Sequence, residues 1–186
     1  MTAPPNLENE KDLLISIIAG NMDSFETMLH YYEKPIWNHL RRITGNNDNA
    51  SDLLQETFLK VYRNRKRIAP ENNFKNWVYR IATNTAYDFL RKKRHIIEIS
   101  LYANEGSETI LPELAYSRIE EEILAHDMEK ALEQVPLHYR TILLLYYREG
   151  FSYEETALIL GLTLNTVKTQ LRRAKQALSK HLHNYE

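Results

Sequence analysis

The chain of 186 residues contains no cysteine, which excludes disulfides and thiolate metal sites and is compatible with a reducing cytoplasm. Glycine (5) and proline (6) are scarce, while 43% of residues are hydrophobic, a balance that argues for ordered helices and against low-complexity disorder. No apolar run approaches the ~20 residues needed to cross a bilayer. The opening MTAPPNLENEKD lacks the basic start and apolar centre of a secretory signal, so a cytoplasmic protein without membrane insertion is expected. There is no HExxH motif and no glycine-rich phosphate loop, and the seven histidines lack ligand spacing with carboxylates. Neither enzymatic activity nor a metal or cofactor is expected.

Positive charge, by contrast, is concentrated. Residues 58–95 hold eleven lysines and arginines against two acids, Glu71 and Asp88, in a chain whose formal net charge is -1. Residues 1–57 and 96–135 are net acidic, and residues 136–186 are net basic. Sorting of this kind suits two basic modules that share one polyanion while acidic stretches face proteins or keep the modules apart. Phe58, Tyr62, Phe74, Trp77, Tyr79, Tyr87 and Phe89 are interleaved with the cations, which points to a nucleic acid with exposed bases. The plainer reading is a solvated helix face over a packed aromatic stripe.

Helical periodicity dominates, with no alternating pair of strands and no internal repeat. Residues 10–19 predict a short apolar helix stopped by Gly20 and Asn21. Asp23 or Ser24 is expected to cap a longer helix that runs toward Thr44 and is interrupted by Pro35. GNNDN at 45–49 predicts a loop. A third helix is expected over 50–65, a polar loop over 66–73, and a fourth helix from Phe74 to about Lys93. Residues 96–117, with Gly106, Pro112 and several acids, predict a linker. The helical period resumes at Arg118 and continues to His181, with breaks at Pro136, Gly150 and Gly161. The fold expected is all-α: two small helical domains, 7–95 and 120–184, joined by a flexible acidic linker over 96–119.

The C-terminal module ends in FSYEETALILGLTLNTVKTQLRRAKQAL. Ser152 with Glu155 reads as a capping box, Gly161 as a left-handed helix stop, and Thr163 as the next cap. Ala157, Leu160, Leu162, Val167 and Leu171 would bury one face of each short helix against the other, the helix-turn-helix arrangement. Outside that stripe lie Asn165, Thr166, Lys168, Thr169, Arg172, Arg173 and Lys175, and no acid occurs from Leu162 to Lys180. Such a face suits the DNA major groove, where arginine and lysine read guanine.

In the basic block, Phe74, Trp77, Val78, Ile81, Ala82, Thr85 and Phe89 follow the spacing of a buried stripe. Arg80, Asn84, Tyr87 and Arg91 form a separate polar row, with Asp88 beside it. On the preceding helix, Leu54, Phe58, Val61 and Tyr62 face inward. Asp52, Gln55, Glu56, Leu59 and Arg63 lie elsewhere, and an exposed Leu59 among acids and amides fits a grip on a partner helix.

DLLQETFLKVYRN, then FKNWVYRIATNTAYDFLRKKRH, then the helix-turn-helix segment together resemble a bacterial RNA polymerase sigma factor of the extracytoplasmic-function type (group IV). The resemblance covers roughly residues 10–95 and 120–183. It implies an initiation factor that binds core RNA polymerase, recognises minus-10 and minus-35 promoter DNA with separate domains, helps open the duplex, and has an anti-sigma factor as partner. By motif, Asp52, Gln55 and Glu56 resemble the helix that docks on the polymerase clamp. The loop from Ile68 through Asn72 and Asn73, with Asn84, Asp88 and Arg91, resembles the surface that melts and reads minus-10 DNA. Lys168, Thr169, Arg172 and Arg173 match outward positions of the minus-35 helix. The chain departs from the common pattern at Thr156, where an aliphatic residue is usual, and at Asn165, where a small glycine often sits.

Two other classes stay open at this point: a dimeric duplex-DNA regulator with an N-terminal sensor half, and a sigma-like decoy that holds polymerase without starting transcription.

Overall fold

Local chemistry places the helix boundaries. The computed structural model describes residues 7–68, 73–103 and 128–182, and these contain helices and connecting turns with no strand among them. The N-terminal module comprises α1 (Leu7–Ala19), α2 (Met22–Thr44), α3 (Asn47–Arg63), a 3-10 turn (Arg65–Arg67) and α4 (Phe74–Ala103). The C-terminal module comprises α5 (128–134), α6 (Leu137–Leu143) continued by a π turn (Leu144–Arg148), α7 (Tyr153–Leu160) and α8 (Leu164–Leu182).

Three boundaries differ from expectation. Asn21, two or three positions before the expected cap, accepts from the Ser24 amide at 2.9 Å and opens α2, which runs unbroken through Pro35. Asn46 accepts from the Asn49 amide at 2.8 Å, so α3 begins inside the stretch read as a loop. Asparagine and aspartate compete with the helical backbone in mid-helix but satisfy its free amides at the start. Finally, α4 passes Lys93 and continues to Ala103. The segment HIIEISLYA contains neither glycine nor proline, and nothing local stops it. Residues 104–127, which hold the rest of the expected linker and the expected helical restart at Arg118, lie outside the described residues.

One apolar core brings together Leu14 and Ile17 of α1, Met28, Ile36 and Leu40 of α2, Leu53 and Val61 of α3, and Val78, Ala82 and Ala86 of α4. A second, smaller core holds Val135, Ile142, Leu143, Ala157, Val167, Leu171 and Ala174. The π turn and the residues after it extend the first core: Leu144, Leu145, Phe151 and Ile159 are buried against the N-terminal helices. The two modules are therefore in contact, across an apolar seam that sequence periodicity does not reveal.

Candidate nucleic-acid interface

The helix-turn-helix follows the expected chemistry. Ser152 accepts from the Glu155 amide at 3.1 Å while the Glu155 carboxylate accepts from the Ser152 amide at 2.9 Å, a closed capping box. Gly161 has φ 65°, the left-handed conformation that ends α7 with its amide bonded to the Ala157 carbonyl. Thr163 caps α8 by accepting from the Thr166 amide at 3.2 Å. Val167, Leu171 and Ala174 are buried, so packing fixes the rotation of α8 and turns Asn165, Lys168, Thr169, Arg172, Arg173 and Lys175 to solvent. Thr166 differs from them. It is half-buried, and its hydroxyl lies 2.8 Å from that of Thr163, which ties it into the cap.

Tyrosines border this cationic face. Tyr146 and Tyr153 stack with centroids 4.8 Å apart, and Tyr147 meets Tyr146 edge-on at 4.8 Å. The Lys168 ammonium lies 5.9 Å from the Tyr153 ring and that of Lys175 lies 5.2 Å from the Tyr147 ring. A hydrogen bond with Tyr147 raises the pKa of Lys175, so its positive charge is secure at neutral pH.

On α3, Asp52, Gln55, Glu56 and Leu59 are all exposed. Leu59 keeps 56% of its surface in solvent, in a fold that buries Leu53 and Leu54 one turn earlier. Glu56 pairs with Lys60 at 2.7 Å, and Lys60 in turn donates to Thr85 of α4 at 3.0 Å.

The α4 row is partly as expected. Arg80, Asn84 and Arg91 are exposed, and Arg91 bonds Asp88 at 2.9 Å. Ile68 is a correction: only 6% exposed and part of the apolar core, it anchors the segment after the 3-10 turn and presents no side chain for DNA. Asn72 lies outside the described residues. Tyr87 is half-buried, and burial raises its pKa against the opposing influence of Thr141 of α6. Asn73 is exposed and its amide reaches the Glu155 carboxylate at 3.5 Å.

A third face of α4 escapes sequence reading. Tyr79 and Thr83 are each 1% exposed and Ala86 is fully buried. The Tyr79 hydroxyl donates to the Glu149 carboxylate at 2.6 Å, and its ring meets Phe151 edge-on at 4.9 Å. One turn earlier, Lys75 donates to the Glu149 carbonyl at 2.7 Å and lies 4.4 Å from the Phe151 ring. Asn76 donates to Glu155 at 3.2 Å. Beneath them His39 is fully buried, with Nε2 3.0 Å from the Thr83 hydroxyl. Burial, and secondarily the Arg42 charge, push its pKa down to about 3. The imidazole is therefore neutral, and its 3.9 Å approach to Glu149 is a contact and no ion pair. The available signal is the spacing of Lys75, Tyr79, Thr83 and Ala86, a second helical stripe beside the core stripe.

Two all-helical modules, one carrying a capped helix-turn-helix with an acid-free outer face and the other a cationic helix, define a two-part DNA-binding protein. Residues 28–96 match Sigma-70 region 2, and residues 125–178 match Sigma-70, region 4. The ECF RNA polymerase sigma factor SigW of Bacillus subtilis (strain 168) is 31% identical over 182 residues, covering 92% of this chain and 96% of the relative. RNA polymerase sigma factor SigV of the same organism is 32% identical over 167 residues, covering 90% and 89%. Among solved structures, the sigma factor RpoE in complex with the anti-sigma factor NepR from Bartonella quintana has a TM-score of 0.69 at 26% identity, covering 86% of this chain and 96% of that one. CnrH in complex with the cytosolic domain of CnrY has a TM-score of 0.72 at 19% identity, over 96% and 99%, a likeness of fold. The chain belongs to the extracytoplasmic-function sigma factors, which are promoter-recognising transcription initiation factors and not enzymes. No helix among the described residues is long and apolar enough to cross a membrane.

Proposed function

We propose that this sigma factor divides its work between residues 7–95, which bind core polymerase and engage minus-10 DNA, and residues 120–184, which read minus-35 DNA. The observation that carries this reading is α8, whose buried Val167, Leu171 and Ala174 leave a solvent face of lysine, arginine, threonine and asparagine without an acid. Its inner residues fix the face and its outer residues match the donor chemistry of base edges and phosphates. On α3, exposed Leu59 with Asp52, Gln55 and Glu56 is the polymerase grip. On α4, Arg80, Asn84, Asp88 and Arg91, together with Asn73 and Tyr87, engage the minus-10 strand. The RpoE relative's capture by an anti-sigma factor supports a partner of that kind for this chain, acting in the cytoplasm.

In vitro transcription with core polymerase on a promoter library tests the reading. The full chain should select templates sharing two short elements and open the upstream edge of the start region to permanganate. Binding to core without any transcript would instead identify a decoy, and selection of a palindromic site without polymerase would identify a dimeric regulator.

A further inference from the structure

Asn165 stands alone in the first turn of α8. Leu164 before it is half-buried, and Thr166 after it is half-buried with its hydroxyl 2.8 Å from that of Thr163, whereas Asn165 is exposed. Asparagine often serves as a helix cap. Here Thr163 takes that role by accepting from the Thr166 amide at 3.2 Å, so among the described residues the Asn165 side chain has no hydrogen bond and keeps both its donor and its acceptor for a ligand. The backbone beneath it is held from two sides. The Leu162 amide donates to the Ala157 carbonyl at 3.0 Å, and the Val167 amide donates to the Thr163 carbonyl at 3.0 Å. Lys168, Thr169 and Arg172 follow Asn165 at three, four and seven residues, all exposed, and therefore share its side of the helix. Gln170 is half-buried, which leaves Asn165 as the one exposed side-chain amide between Leu164 and Ala174.

We propose that Asn165 is a specificity residue that reads a single adenine in the major groove of the minus-35 element, its NH2 group donating to the exposed ring nitrogen of the base and its carbonyl oxygen accepting from the exocyclic amino group. The inference rests on the proposed assignment of α8 to minus-35 DNA. In the major groove adenine alone sets an acceptor beside a donor, while guanine shows two acceptors, cytosine a donor and thymine an acceptor next to a methyl group. A side-chain amide matches adenine with both of its groups. The ammonium of Lys168 and the guanidinium groups of Arg172 and Arg173 only donate, and so suit guanine. Recognition helices bring their N-terminal residues to base edges, and a two-point contact needs a backbone fixed as firmly as the turn from Thr163 to Val167 is. Three residues of helix rise about 4.5 Å, little more than the base-pair step of about 3.4 Å, so the adenine adjoins the base pair that Lys168 faces. The glycine often found at this place in the sigma pattern has no side chain to make the contact. This chain therefore selects one base that a glycine at 165 would leave unread. The competing target for the amide is a phosphate, and phosphate contacts carry no sequence preference.

The test uses the full chain with core polymerase on promoters randomised across the minus-35 element, with the transcripts sequenced. The natural chain should enrich adenine at one position about tenfold over the other bases. Asn165→Ala and Asn165→Gly should lose that enrichment and keep the selection governed by Lys168, Arg172 and Arg173. Asn165→Asp, which can only accept, should move the preference from adenine toward cytosine, whose amino group donates. A second measurement alters the DNA and leaves the protein as it is. With 7-deazaadenine at the selected position, which replaces the ring nitrogen by carbon, binding by the natural holoenzyme should weaken about fivefold, while holoenzyme carrying Asn165→Ala should bind both duplexes alike. Adenine enrichment that survives Asn165→Ala, weakening of all sequences alike, or equal sensitivity of both proteins to the altered base would overturn the inference. If alanine variants of Lys168, Arg172 and Arg173 also leave the library profile unchanged, the assignment of α8 falls with it; if they shift the profile and the Asn165 variants do not, only the adenine contact falls.

Discussion

Thr156 is fully buried in α7, and its hydroxyl has no hydrogen-bond partner. A buried hydroxyl without a partner costs on the order of 1–3 kcal/mol in desolvation. Thr156→Val keeps shape and branching and should stabilise the chain by about 1 kcal/mol in urea unfolding; equal or lower stability would mean that the hydroxyl is satisfied in solution. His39 makes a second prediction. Its folded pKa of about 3 lies below the ordinary 6.5, so between those values the unfolded chain binds the extra proton and acidification favours unfolding. Stability is complete above pH 6.5 and falls by about 1.4 kcal/mol per pH unit below it. His39→Phe should flatten the unfolding free energy between pH 6.5 and 5 relative to the natural chain. Sequence shows Thr156 on an apolar face and His39 within a helix. Neither the orphaned hydroxyl nor the neutral imidazole is legible there, because both depend on neighbours from distant helices.

At the level of elements, α8 was the most legible because every local signal agrees: capping box, left-handed glycine, threonine cap, and an apolar stripe opposite an acid-free face. Arg172 and Arg173 are both exposed on it. If Arg173 reads a base, Arg173→Ala should cost about 1–3 kcal/mol and relax selection at one minus-35 position. If it grips phosphate, all sequences should weaken alike and the salt slope should fall by about one unit. A randomised minus-35 library distinguishes the two, and natural preference in alanine variants of Lys168, Arg172 and Arg173 alike would remove α8 as the reader. On α3, Gln55→Ala with Glu56→Ala should weaken binding to core polymerase while circular dichroism stays unchanged; lost helicity would make the effect one of folding. The outward face of α3 was legible from Leu59, an apolar residue with no place in the inward stripe. By contrast, α4 was only partly legible. Its core stripe and polar row follow the helical period, but Tyr79 belongs to neither, and its burial needs a partner 70 residues away.

For the molecule as a whole, the sequence conveyed two helical units and the sorting of charge along the chain, and it left their contact unseen. A seam built from Leu144 and Leu145 looks in sequence like part of one helix's own core. Because those leucines belong to the core of the N-terminal module, unfolding of the two modules should be coupled. Leu145→Ala should cost about 2–5 kcal/mol, as for other buried leucines, and the loss should register in both modules. Labels or tryptophan signals that report separate transitions, with the N-terminal one unshifted, would show that the seam contributes no cooperativity.

The π turn at Leu144–Arg148 sets the geometry of that seam. The Glu149 amide bonds the Leu144 carbonyl five residues back, at 3.0 Å, and Gly150 with φ 74° lets the Phe151 amide close on Leu145 at 3.1 Å. Such a turn amounts to one residue more than the α-helical repeat accommodates, and one residue corresponds to about 100° of rotation. Removing a single position from 144–148 would leave every side chain of Glu149, Phe151 and the helix-turn-helix chemically intact while pointing them elsewhere around the axis. Relatives that lack the extra position would be expected to dock their two halves at a different azimuth, or not at all, so the count of residues in this turn is a phase setting that two aligned sequences would reveal as a one-residue gap.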